Sequence, residues 1–300
     1  MSIALLGGNG AKPVAEQYLN DLAKGNASAA NKLARVKLDD KNFLMTDRVL
    51  KGAVHLDSPS VERVIGSSSS DLSDVAVRYK LNGKSYRGII ELDKDDKGWY
   101  VSRGLTLQIP YVSSSIRAGY RVEGSDSTIT SESSDLIAYP GVYKVTAPNK
   151  YYVVKTSAKL TVAADVYDFK GLALTPSQAY LSEVQKQVDA HYADCAAKTS
   201  FYDLDTCGIQ LSYPANLPTS TSTVAVKVVQ SPKVTISTDS LYEFQVDGGS
   251  FTAAMTGTTF SGAPGTENLT GKADSFSADI KIDNDKVVVI QLTILPADRT

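Results

Sequence analysis

Cys195 and Cys207 are the only cysteines in the chain, and their separation admits two chemistries. As a disulfide they close a loop of about 13 residues, worth roughly 3 kcal/mol by chain entropy. Such a bond points to an oxidising compartment. As a free thiol, Cys207 would be a nucleophile with His191 as its base. A bridge excludes that chemistry, and the bridge is the reading adopted. His55 and His191 are the only histidines, the one residue type that ordinarily titrates near neutral pH. His191 falls on the edge of an apolar helical stripe, a packing position. His55 lies close to Asp57, yet no G-x-S-x-G elbow accompanies them. Two His and two Cys leave little room for a four-ligand Cys/His zinc site. The Asp clusters at 93–96, 203–205 and 283–285 lack the D-x-[DN]-x-[DN]-G spacing of a calcium loop, and two of them sit at expected hairpin turns. No catalytic residue, metal ligand or cofactor is assigned. The remaining feature is a concentration of tyrosines. Tyr139, Tyr143, Tyr151 and Tyr152 form a possible binding surface, because Tyr joins an apolar body to a polar tip. Strand alternation sends Tyr151 and Tyr152 to opposite sides, so one of them is expected outside.

Composition narrows the class. The chain has 300 residues, 42% hydrophobic and 21% charged, with a formal net charge of -2. That balance excludes a general electrostatic nucleic-acid binder. No run reaches the roughly 18 apolar residues expected of a membrane-spanning helix. Ser and Thr make up roughly a fifth of the chain, and Tyr (16) outnumbers Phe (7) and Trp (1), a profile that fits an extracytoplasmic protein of Gram-positive type. The opening Met1–Gly8 is too short and uncharged for a signal peptide. The expectation is therefore an export or anchoring segment upstream, absent from this chain, as the only route to a membrane. Residues 201–300 carry 6 basic and 11 acidic side chains, net -5, which reads as a solvated acidic surface.

The periodicity changes along the chain. Val14, Tyr18, Leu19 and Leu22 recur at helical spacing after Pro13, which is expected at the first helical position. Gly25 stops that helix, Asn26 caps a second, and Thr46 or Asp47 caps a third. Then Val75, Val77, Tyr79 and Leu81 alternate, and Asn82-Gly83 makes a tight hairpin. Residues 108–171 hold no good helix and several short strands. Thr175-Pro176-Ser177-Gln178 reads as a capping box opening a long helix, with Pro176 at its first position. That helix carries Tyr180, Val184, Val188 and Tyr192 on one face. Strands follow to the end, with 214–223 as a loop. A duplication of the first segment in the last is too weak in identity to assert.

Two stretches resemble known families. Residues 13–30, Pro-Val-Ala-Glu-Gln-Tyr-Leu-Asn-Asp-Leu-Ala-Lys-Gly-Asn-Ala-Ser-Ala-Ala, resemble the opening helix pair of nuclear-transport-factor-2-like (cystatin-like) domains, which occur in exported and membrane-anchored actinobacterial proteins. Residues 83–101, with Asp-Lys-Gly-Trp-Tyr-Val, resemble the final strands of that fold. Pro140-Gly141-Val142-Tyr143-Lys144-Val145 is similar to the core of PEGA-type and carboxypeptidase-regulatory β-sandwich modules. Residues 188–207 resemble a segment of those exported proteins.

The resulting expectation is an α+β, multi-domain chain, with cystatin-like helix-on-antiparallel-sheet domains flanking a small β-sandwich. The domains are expected at 1–107, 108–171 and 172–300, the last with a Cys195–Cys207 bridge. The expected function is a non-catalytic extracytoplasmic module, at the cell surface or secreted, that binds an envelope protein or cell-wall component. The alternatives are a small-molecule sensor or carrier using a cone-shaped pocket, and a carboxylate-dependent hydrolase.

Overall fold

A computed structural model describes residues 10–65, 71–109, 118–130, 133, 135–155, 157–164, 166–170, 172–236, 243–274, 276–283 and 286–294. Met1–Gly8, Tyr111, positions 284–285 and the tail 295–300 lie outside them. The chain is α+β, with helices packed on antiparallel sheets. It divides into two compact units, one of residues 1–148 and 153–174, the other of 149–152 and 175–300.

In the first unit α1 (Ala11–Ala23) begins two residues ahead of Pro13, after Gly10 at the N-cap. Pro13 is thus the third helical residue, still among the N–H positions that have no acceptor within the helix. Gly25 takes φ 70° after α1. Asn26 caps α2 (Ala27–Leu33) by accepting from Ala29 N–H, and Thr46 caps α3 (Asp47–Gly52) by accepting from Val49 N–H. A two-residue strand β1 (Val54–His55) precedes a four-stranded meander of β2 (Asp57–Ile65), β3 (Leu72–Leu81), β4 (Lys84–Asp95) and β5 (Gly98–Arg103), hydrogen-bonded in that order. Asn82 and Gly83 both take positive φ, 49° and 79°, at the β3–β4 turn, as an Asn-Gly hairpin requires. Val75, Val77, Tyr79 and Leu81 are all buried, and α1 lies across all four strands. Tyr18 reaches so far through this layer that its hydroxyl accepts Leu105 N–H at 3.1 Å. Gly104 is the residue it passes, and a Cβ there would overlap the phenol oxygen.

The next strands are β6 (Leu107–Gln108), β7 (Arg121–Val122), β8 (Ile137–Ala138), β9 (Gly141–Thr146), β11 (Lys159–Ala163) and β12 (Val166–Lys170), while β10 (Tyr152–Val154) and β13 (Leu174–Pro176) lie where the chain passes from one unit to the other. These residues were expected as a separate sandwich with a boundary at 107. They instead share a unit with the helices and the meander. β1 pairs with β9, matching Val54 to Val142 and His55 to Gly141, and β9 continues to β11 and β12. Tyr139, Val142 and Ala163 belong to the same core as Tyr18, Leu19 and Tyr79. The physical reason is range. Turn residues mark local breaks, whereas the pairing of β1 with β9 joins segments far apart in sequence and leaves no local signature.

The second unit opens with α4 (Gln178–Ala196). Its cap is Ser177, whose hydroxyl accepts from Tyr180 N–H and donates to Lys150 C=O at 2.7 Å. Pro176 ends β13 instead of starting the helix. After α5 (Phe201–Thr206) come β14 (Ile209–Leu211), β15 (Thr223–Gln230), β16 (Lys233–Ile236), β17 (Glu243–Asp247), β18 (Ser250–Thr258), β19 (Pro264–Ala273), β20 (Phe276–Asp283) and β21 (Lys286–Ile294). They form two antiparallel sheets, ordered β14-β19-β18-β15 and β16-β17-β20-β21. Three long runs of chain pass directly from one sheet to the other, at Ser231-Pro232, Gly248-Gly249 and Asp274. Strands change sheets through bends and bulges, and both devices are present. Val229 is bulged out of register between Val228 and Gln230. Gly248 and Gly249 take φ 75° and 90°, and a Cβ at Gly249 would come 2.7 Å from the Pro232 ring. The helix α4 packs on β15, β16 and β21. Tyr180 meets Phe244 of β17 with ring centres 5.0 Å apart, and Tyr192 meets Phe251 of β18 at 5.7 Å.

Candidate functional site

The four tyrosines expected as a binding surface are buried, each at most 5% exposed, and the expectation is corrected. Tyr139 donates its hydroxyl to Asn31 Oδ1 at 2.6 Å, and Asn31 in turn donates to Met45 C=O. Tyr143 donates to Tyr139 C=O at 2.7 Å. Burial pushes the hydroxyls of Tyr139 and Tyr143 well above the usual phenol range. Tyr151 and Tyr152 do not alternate across a strand. Asn149 Oδ1 accepts Tyr151 N–H and curls the chain, so both rings pack on Tyr180, at 5.8 and 5.6 Å. A polar tip on an apolar ring serves a core as readily as a surface when its hydroxyl finds an acceptor.

Cys195 and Cys207 form a disulfide, with Cα atoms 5.8 Å apart. His191 stands beside it. Its Nε2 donates to Cys207 C=O at 3.1 Å and lies 3.4 Å from Cys195 Sγ. The ligating atoms of His191, Cys195 and Cys207 fall within 4.8 Å of one another, but the sulfurs are bonded to each other, which leaves the imidazole as the one donor. Asp274, where the third run changes sheets, donates its N–H to Gly208 C=O. Burial first, and then the nearby Asp205, raise its carboxyl pKa, against a smaller lowering by Lys272. A raised carboxyl pKa means that the folded unit holds its proton more tightly than the unfolded chain. Stability then falls as pH rises through the unfolded and then the folded value. Asp274→Asn is expected to flatten that slope and to raise the urea midpoint of the second unit at neutral pH. Denaturation curves at acidic and neutral pH check it, and an unchanged slope would refute it.

The Asp groups at the β4–β5 turn serve local structure. Asp93 accepts from Ser102, and Asp95 accepts from Arg35 and Lys97 N–H. Arg35 holds the Asp95 carboxyl at a pKa of about 2. His55 lies in β1, opposite Gly141, and no hydrogen bond joins it to Asp57 among the described residues.

The distinctive surface is one end of the second unit. Tyr202, Tyr213 and Phe260 are 55%, 78% and 74% exposed, and among the described side chains they are the aromatics that stand out in solvent. They come from three segments: the start of α5, the loop 212–219 and the β18–β19 turn. The Phe201 ring lies 5.8 Å from Tyr213 and 6.2 Å from Tyr202. The Tyr202 hydroxyl lies 3.1 Å from Thr219 Oγ1. Phe260 donates its N–H to Asn216 C=O at 3.1 Å, tying the turn to the loop. Glu267 clamps that loop by accepting Ala215 and Asn216 N–H at 2.7 and 2.6 Å. Leu217 plugs into the interior at 1% exposure. The exposed rings are thus carried on backbone segments bonded to one another, and exposed apolar side chains gathered at one place mark interaction sites.

Residue-by-residue reading missed this site because the rings are far apart in sequence. One signal was available. No residue is charged in 206–226 or in 248–266, two long gaps in a chain that is 21% charged. These stretches supply the loop, the turn and the strands beside them. On the outer face of that sheet Thr223, Thr256 and Thr266 stand directly opposite one another, all exposed.

No protein-family model matches the chain, and no curated protein matches it in sequence.

Proposed function

We propose that this chain is a non-catalytic, extracytoplasmic module of the cell envelope that binds a partner protein or wall component through the aromatic end of its second unit. The exposed cluster of Tyr202, Tyr213 and Phe260 carries the reading. Large rings held on clamped loops supply contact area at little entropic cost on binding. The Cys195–Cys207 disulfide supports export, since such bonds persist in oxidising compartments. The helix-on-meander order of the first unit supports the cystatin-like resemblance. Its interior is filled by Tyr18, Tyr79 and Tyr139, which supports binding at a surface over binding in a cone-shaped pocket.

A photo-crosslinking side chain at position 260, in the native host, tests the proposal. The expected result is an envelope adduct that is missing when the same group is placed at position 38, an exposed leucine of the first unit. Equal or no adduct at the two positions would overturn it.

A further inference from the structure

The loop and the turn at this end carry no charge, which narrows what they bind, and the narrowing rests on the docking reading above. We infer that the ligand is an uncharged polysaccharide, held by the rings of Tyr213, Phe260 and Tyr202 with hydroxyl and amide groups around them.

The argument is one of matched chemistry. A sugar ring shows C–H groups on its faces and hydroxyls around its rim. An exposed aromatic ring covers the faces, and neutral groups that both donate and accept hydrogen bonds suit the rim. Both kinds are present. Tyr213 and Phe260 are the two most exposed large apolar residues described, and the exposed Asn216 and Ser261 stand on the same loop and turn. Thr256 and Thr266 extend the hydroxylated surface along the sheet.

The missing charges decide between occupants. A polyanion or an anionic membrane is gripped by Lys and Arg, and residues 206–226 and 248–266 contain neither. Of the flanking acids, Glu267 spends its carboxylate on two backbone N–H groups, while Asp203 and Asp205 beside Tyr202 are exposed and repel a polyanion further. Protein interfaces enrich Arg together with aromatics at their energetic centres, and Arg is absent from these stretches as well.

The test is retention of the full chain on cellulose, chitin, starch, curdlan and arabinogalactan. Retention on at least one of them is expected in low and high salt alike, because no charge pair contributes. The double variant Tyr213→Ala, Phe260→Ala should bind about tenfold or more weakly, with an unchanged denaturation curve. Leu38→Ala should bind as wild type. Retention on none of these polymers, loss of binding in high salt, or full binding by the double variant would each overturn the inference. If retention fails while position 260 still crosslinks to an envelope protein, the polysaccharide assignment falls and the docking reading stands. If both fail, both fall.

Discussion

Alanine at position 143 is expected to lower the stability of the first unit by about 3–5 kcal/mol, the usual cost of deleting a buried aromatic ring. Tyr143 is 1% exposed, and its neighbours are held by backbone pairing on both sides of β9. Phenylalanine there should cost less, about 1–3 kcal/mol, by leaving the Tyr139 carbonyl without its 2.7 Å donor. Tyr213→Ala is the contrast. That side chain is 78% exposed, and its removal should change stability by no more than about 0.5 kcal/mol. Urea denaturation of the three variants separates a tyrosine that holds the fold from one that is free to hold a ligand. Equal midpoints for Tyr143→Ala and wild type would refute the core assignment.

Reduction of the disulfide should destabilise the second unit by roughly 3 kcal/mol, from the entropy that a loop of about 13 residues regains in the unfolded chain. For a unit of this size that corresponds to a fall in melting temperature on the order of 10 °C. The effect belongs to the second unit, because the only cysteines of the chain are Cys195 and Cys207. The double variant Cys195→Ala, Cys207→Ala should reproduce it without reductant. Calorimetry with and without dithiothreitol reads the shift. Identical melting curves would mean that the bridge constrains nothing. Mass spectrometry of alkylated protein from the native host provides the companion measurement: both thiols should resist alkylation until reduced.

Much of the local structure was written in short patterns. The spacing of Val14, Tyr18, Leu19 and Leu22 gives α1 its buried stripe, and all four are buried as expected. Asn26 and Thr46 cap the helices that they precede. Asn82-Gly83 turns the hairpin, and the two lone cysteines pair. Each of these depends on residues within about a dozen positions, where steric and hydrogen-bonding preferences act directly on the backbone. One local reading slipped. The capping box put Pro176 at the first helical position, whereas Pro176 ends a strand and Ser177 is the cap.

Three matters were decided only by tertiary structure. The pairing of Val54 with Val142 draws the middle strands into the first unit, and nothing in either segment announces the other. The sides taken by Tyr139, Tyr143, Tyr151 and Tyr152 depended on which acceptors and rings the fold brought to them, because tyrosine is equally at home inside and outside. The aromatic end of the second unit arises from α5, a clamped loop and a hairpin turn that meet in space. The sequence by itself determined the helices, the hairpins, the bridge and the charge-free stretches. Burial and adjacency were decided by chain segments tens of residues apart, whose contacts form only when the whole unit closes.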